Sequence, residues 1–185
     1  MPGQLFVSKY ADLWTHFDHD IDVMLCTGSS LSYCDSWSAS RVAVSRDNDG
    51  VVEALRALEK CIRPDGVLII GNGKCYKKTR SQDLIEYAPL LVGDDIVNVN
   101  WLLTYDWHNL IKHWTATVTR TNGGVDCIQM ESHLFDSEML VNMCREVFSH
   151  VEILETPKEL AEYFVLCSHQ HIRVRDLIDA AATFC

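Results

Sequence analysis

Four small residues, Thr27-Gly28-Ser29-Ser30, follow directly on the apolar run Ile21-Asp22-Val23-Met24-Leu25-Cys26. Such a switch marks the carboxyl end of a buried strand, where open α/β sheets bind their ligands. Gly28 allows a ligand to approach the backbone closely, and Thr27, Ser29 and Ser30 offer hydroxyls that donate or accept. Upstream, Asp12 is a carboxylate that can accept an N–H bond, although a solvated loop carboxylate is the competing reading. Tyr33 reads as a ring packed near a ligand or as a core aromatic. Downstream, Lys74 and Tyr76 place a point charge and a phenol beyond a second apolar run; a solvated Lys-rich turn is the alternative there. Cys167-Ser168-His169-Gln170-His171 alternates like ligands on a strand end, but no second ligand pair stands at standard spacing. No metal is expected.

The elements that must position these residues alternate between strand and helix. Residues 5–7 read as a short strand running into Tyr10-Ala11-Asp12-Leu13, and Ile21–Cys26 as a buried strand. A polar segment over residues 35–50 reads as a surface loop or weak helix. Val51, Leu55, Leu58 and Ile62 fall at i, i+4, i+7 and i+11, the spacing of one helix face. Arg63-Pro64-Asp65-Gly66 should stop that helix in a turn. Val67-Leu68-Ile69-Ile70 is apolar throughout, as in a parallel strand buried on both faces. The period then changes to two. Val97, Val99, Trp101 and Leu103, then Trp114, Ala116 and Val118, then Ile128 and Met130 predict an antiparallel meander with one wet face. Thr121-Asn122-Gly123-Gly124 is its turn signal. Asp136 stands where it would cap a helix carrying Leu140, Met143, Cys144 and Val147 inward. Residues 151–154 and 163–167 supply two closing strands, and a short helix is expected from Ile172 onward.

Composition narrows the partners. A chain of 185 residues, 48% hydrophobic and 23% charged, reads as one soluble globular domain, 1–185, with residues 96–134 as its antiparallel insert. A formal charge of -10 with no Lys/Arg-rich run argues against nucleic acid. No stretch approaches a membrane span and the first residues lack a secretory pattern. Eight cysteines without a CxxC pair fit reduced thiols and a cytoplasmic location.

Two of these segments in order resemble a known family. Ile21-Asp22-Val23-Met24-Leu25-Cys26-Thr27-Gly28-Ser29-Ser30-Leu31 looks like the fourth strand and following loop of a class I S-adenosylmethionine (SAM) dependent methyltransferase. Arg63-Pro64-Asp65-Gly66-Val67-Leu68-Ile69-Ile70 resembles the turn leading into its fifth strand. The C-L-G-N-S-x-x-x-L stretch, the meander insert and the closing strand of the glycine/sarcosine N-methyltransferase family are the nearest pattern. The resemblance implies a Rossmann-like α/β sheet and methyl transfer from SAM to a small amine, glycine or sarcosine, giving S-adenosylhomocysteine. It also implies a homo-oligomer.

In that likeness Asp12 takes the place of the residue that accepts from the adenine amino group, with Leu13 against the ring. Thr27, Gly28, Ser30 and Tyr33 fall at the cofactor. Gly28 and Ser29 stand at the reacting centre, with Ser29 where the family has an Asn that places the amine. Lys74 stands for an Arg that clamps the substrate carboxylate, and Tyr76 for a neighbouring Tyr. Lys cannot reproduce a bidentate fork. No GxGxG occurs in the chain. By the family's strand order, 3-2-1-4-5-7-6, the sheet is expected to lack its first two strands and to expose an apolar edge on Ile21–Cys26. The chain therefore reads as a truncated N-methyltransferase. A non-catalytic methyltransferase-like binding or regulatory subunit is the second reading, and a different α/β enzyme the third.

Overall fold

Along the chain the elements are α1 (Trp14–Phe17), β1 (Ile21–Cys26), α2 (Asp49–Cys61), β2 (Ile62–Gly73), β3 (Gln82–Glu86), β4 (Leu90–Val92), β5 (Asp95–Asp106), β6 (Ile111–Arg120), β7 (Val125–His133), α3 (Ser137–Arg145), β8 (His150–Leu154) and β9 (Glu162–Ser168). These come from a computed structural model that describes residues 9–34, 48–73, 81–93, 95–154 and 162–172. The strand expected over residues 5–7, the polar segment over 35–47, and the terminal helix beyond Ile172 lie outside the described residues. The chain divides into two compact units, one built from residues 1–31, 51–74 and 137–185, the other from 32–50 and 75–136.

The first unit holds a four-stranded sheet in the order β1-β2-β9-β8. β1 and β2 run parallel, while β9 is antiparallel to both β2 and β8. This matches the 4-5-7-6 half of the expected order, with one reversed strand. Val67, Leu68, Ile70, Val165, Leu166 and Cys167 are buried, as strands covered on both faces require. The amphipathic pattern of α2 holds for Val51, Leu55 and Leu58, which are buried, with Glu53 and Arg56 facing solvent, while Ile62, read as the last member of the stripe, is buried as the first residue of β2. α3 buries Leu140, Met143 and Cys144; Val147 falls in the turn after it, half-buried.

Two local readings change. Tyr10–Asp12 forms a 3-10 turn leading into α1, where the sequence suggested an extended run. Short apolar–polar alternation does not separate the two, and the turn is stabilised by Thr15, whose hydroxyl donates to the Asp12 carbonyl at 2.7 Å. The Arg63-Pro64-Asp65-Gly66 turn is drawn into β2 as an irregularity. Ile21 faces Ile62 and Val23 faces Val67, so the intervening residues bulge from the β1–β2 ladder. Gly66 permits the close approach: a Cβ there would lie 2.8 Å from the Ile21 carbonyl and 2.9 Å from that of Asp22.

β1 pairs only with β2 among the described residues. Val23 and Leu25, on one face of β1, are 50% and 66% exposed. This is the apolar edge the strand order predicts.

The second unit is an antiparallel sheet, β3-β5-β6-β7, with β4 also paired to β5. The sequence reading found the last three strands and passed over β3 and β4, which are only five and three residues long. The β6–β7 turn forms as read, with Gly123 at φ 84°. On one face the ladder sets Trp101 opposite Ala116 and Leu103 opposite Trp114; on the other stand Asn98, Asn100, Thr115 and Thr117. Val97, Leu103, Ala116 and Ser132 are buried on the first face.

Candidate functional site

The loop after β1 is built from the backbone outward. Gly28 and Ser29 both adopt left-handed conformations, φ 66° and 57°. No atom would crowd a Cβ at Gly28, so the glycine serves the dihedral and not the space. Ser29 takes the same dihedral despite its side chain, and two bonds hold it. Its N–H donates to the Gly71 carbonyl at 3.2 Å, and its Oγ accepts the Gly73 N–H at 2.9 Å. The loop is thus stapled to the carboxyl end of β2. Since Oγ accepts from Gly73, the Ser29 hydroxyl hydrogen can donate to an incoming group.

Ser30 begins a chain of bonds in the opposite direction. Its hydroxyl donates to the Thr27 carbonyl at 2.9 Å. Its only hydrogen being spent, the Cys26 thiol 3.3 Å away must donate to Ser30 Oγ, and the Tyr10 hydroxyl at 3.5 Å donates to Cys26 Sγ. This relay joins the 3-10 turn to the end of β1.

Around it lies a pocket of about 400 Å³ lined by Tyr10, Leu13, Met24, Leu25, Cys26, Ser30 and Leu58. Met24 and Leu25 project from opposite faces of β1, so the pocket reaches the strand's open edge. Leu13 and Ser30, expected at the cofactor, both line it. Thr27, Gly28 and Asp12 are exposed and do not. Tyr10, Met24, Leu25, Cys26 and Leu58 were not singled out from sequence; the signal was there for Leu58, one residue of the α2 stripe, and for Cys26 at the strand end. Another residue missed is Asn72, buried at the end of β2, whose side-chain N–H donates to the Tyr163 hydroxyl at 3.2 Å. Lys74 and Tyr76 lie outside the described residues.

Tyr33 belongs to the second unit, where it meets an aromatic cluster. Its ring lies 6.2 Å from that of Trp114, which crosses Trp101 edge-on at 5.2 Å and 85°. Tyr87 meets Trp101 at 6.3 Å. The Trp114 indole N–H donates to the buried Ser132 hydroxyl at 3.0 Å, and Ser132 in turn bonds Tyr33. Burial pushes the Tyr33 phenol up to about 12, the Ser132 bond opposing the rise. The Lys112 ammonium sits 4.4 Å from the Trp114 ring centre.

No protein-family model matches this sequence, and no curated protein matches it. Solved structures do. The sugar N-methyltransferase KedS8 from Streptoalloteichus sp ATCC 53650 superposes with a TM-score of 0.59 at 14% identity, covering 81% of this chain and 56% of its own. CalS10, an amino pentose methyltransferase from Micromonospora echinaspora solved with SAM bound, gives 0.58 at 11%, covering 80% and 58%. A SAM-dependent methyltransferase from Clostridium acetobutylicum ATCC 824 gives 0.54 at 14%, covering 80% and 57%. The chain thus spans less than three-fifths of the length of each structure. At these identities the likeness concerns the fold. The parallel β1–β2 pair, the reversed β9 and these superpositions together give the chain the Rossmann-like fold of the class I SAM-dependent methyltransferases.

Proposed function

We propose that the chain carries part of a SAM-dependent N-methyltransferase for a small amine, with S-adenosylhomocysteine as the spent donor. The observation behind this reading is the meeting of Leu13 and Ser30 at an apolar pocket beside the carboxyl end of parallel β1. Its lining suits the cofactor's base: Leu13, Met24, Leu25 and Leu58 would enclose a purine, with Tyr10 and Ser30 as polar groups at its edge. When bound, SAM supplies a methyl group already activated on a sulfonium. The chain's own part is then to hold and orient an uncharged amine and exclude water. Ser29, fixed by Gly71 and Gly73, would accept or donate to that amine.

Two acceptor classes fit. Glycine or sarcosine follows from the sequence resemblance and needs Lys74 and Tyr76 at the carboxylate. An amino sugar follows from the acceptors named for KedS8 and CalS10. Neither nucleic acid nor membrane belongs to this reading, which takes the protein as a cytoplasmic homo-oligomer. No described helix is long and apolar enough to cross a membrane.

The open edge of β1 favours a second reading, a non-catalytic subunit that pairs with another chain there. Calorimetric titration with SAM separates the two. Saturable binding by the folded chain, lost in Leu13→Asp with the thermal melt preserved, supports the enzyme. A folded chain that ignores SAM sinks it.

A further inference from the structure

We infer that the outer rim of the second unit, formed by β3 and β4, docks an extended segment of another protein in which two apolar residues stand between two basic ones. The rim lies wholly in the second unit and does not depend on the methyltransferase reading. β3 and β4 are both antiparallel to β5, β3 against Asn100–Thr104 and β4 against Asp95–Val97. They therefore lie end to end along one edge, with Pro89 between them. Among the described residues neither pairs with any other strand. The Tyr87 N–H donates to the Val99 carbonyl, and the Tyr105 N–H donates to the Ser81 carbonyl. Peptide groups alternate in direction along a strand, so Ser81, Asp83, Ile85 and Tyr87 turn theirs toward β5. Gln82, Leu84 and Glu86 then turn theirs outward, as the donors and acceptors that an added strand needs.

The side chains along this rim are apolar on both faces. Ile85 and Tyr87 share one face with Leu90 and Val92, and Leu84 shares the other with Leu91. All are exposed, Leu84 by 63% and Leu91 by 75%. Edges left open to water are ordinarily blunted by lysines, a bulge or a cover. Charge selects what covers this one. From Ser81 to Ile111 the chain has no Lys or Arg, while Asp83, Glu86, Asp94, Asp95 and Asp106 all fall within that stretch. The cations of the neighbouring β6 are already engaged: Arg120 bonds Asp126, and Lys112 stands over the Trp114 ring. A second copy laid antiparallel along β3, Leu84 opposite Ile85, would set Asp83 opposite Glu86, and like charges there destabilise. An anionic lipid surface is repelled for the same reason. A foreign strand gains at every position if it reads basic, apolar, apolar, basic. Its outer residues then face Glu86 and Asp83, and its inner pair faces Ile85 and Leu84. The Tyr105 hydroxyl donates to Asp83 Oδ2 at 2.7 Å, which holds that carboxylate in place.

The test uses the full chain and a capped hexapeptide of threonine, lysine, valine, valine, lysine and threonine. A control peptide carries glutamate for both lysines. Binding is measured calorimetrically and located by amide hydrogen exchange. The expected result is saturable binding of the lysine peptide, weakened by added salt. Exchange should slow at the Leu84 and Glu86 amides, and change little at Asp83 and Ile85, whose amides already face β5. Glu86→Lys should weaken binding about fivefold with the thermal melt preserved, because that side chain is exposed. Equal affinity for the glutamate peptide overturns the proposal, as does binding that leaves exchange at Leu84 and Glu86 unaltered. Absence of binding by the folded chain overturns it too. If a dimer of the chain separates in Leu84→Lys while neither peptide binds, the rim joins two copies and the proposal fails. Capture by phosphatidylserine vesicles without peptide binding fails it likewise.

Discussion

Ser29 and Gly73, 44 positions apart in the chain, are joined by a single hydrogen bond: the Gly73 N–H donates to Ser29 Oγ at 2.9 Å. The bond ties the loop after β1 to the last residue of β2, so the two strand ends that border the proposed reaction centre move together. A Ser here does what a longer side chain would do less directly, since its short arm keeps the oxygen close to the backbone. The same contact explains how Ser29 holds a left-handed dihedral that a non-glycine residue rarely adopts.

Removing that oxygen should therefore loosen the loop before it alters any chemistry. Ser29→Ala is expected to cost about 1 kcal/mol in urea unfolding, and to raise hydrogen exchange at the Gly73 amide. Unchanged exchange at Gly73 would show that the staple is not formed in solution. Ser29→Gly should relieve the dihedral and lose the bond, giving a smaller net change than Ala.

Gly66→Ala tests the bulge in β2. The new methyl would stand 2.6 Å from Ile62 Cγ2 as well as close to two β1 carbonyls. Backbone oxygens cannot step aside without breaking the ladder, so a loss of about 1–3 kcal/mol is expected. Equilibrium denaturation measures it. A neutral Ala would mean that β1 and β2 part further in solution than their register implies.

Ser132→Ala should leave the half-buried Trp114 N–H without its acceptor. The expected cost is roughly 1–3 kcal/mol, accompanied by a shift of the Trp114 indole resonance. Ser132→Thr, which keeps a hydroxyl, should recover much of the stability if the site admits one methyl.

Tyr33 predicts an alkaline effect. Its folded pKa, about 12, exceeds the ordinary value of 10.0, so the unfolded chain gives up this proton first. The native state then binds more protons than the unfolded state, and stability falls as pH rises between the two values. Below the ordinary value Tyr33 adds no pH dependence. Spectrophotometric titration should show one late-ionising phenol that disappears in Tyr33→Phe, and that variant should lose less stability on alkalisation.

Asp106 predicts the opposite end. Its carboxylate accepts the Asn109 side-chain N–H at 2.6 Å and the backbone N–H groups of Asn109 and His108, in the turn between β5 and β6. Those bonds, the Asn109 side chain first, hold its pKa below the usual carboxylate value. Its contribution is present above the unfolded value and fades as pH falls through the lower folded one. A carbon-detected NMR titration should place the Asp106 midpoint below that of exposed aspartates, and Asn109→Ala should raise it.

Local composition was enough for the strand–helix–strand order of the first unit. The stripe of Val51, Leu55 and Leu58 and the run Val67-Leu68-Ile69-Ile70 state their own burial, because period and apolar content follow from geometry that every helix and buried strand shares. The switch at Thr27 marked the loop for the same reason, and the strand-order resemblance foresaw the open edge of β1. What only the tertiary structure decided depends on residues distant in sequence. Ser29 meets Gly73 because a parallel register sets the ends of β1 and β2 side by side, and Tyr10 joins Ser30 through Cys26 because the 3-10 turn lies against the end of β1. Pro64 and Gly66 read as a stop, yet the β1 carbonyls beside them pull the segment into a bulged strand. Trp101 and Trp114 looked like two entries in an alternating pattern; the antiparallel ladder, with a small Ala116 between bulky neighbours, turned them into a corner. Pairing register is a property of two strands at once, and no single stretch of sequence contains it.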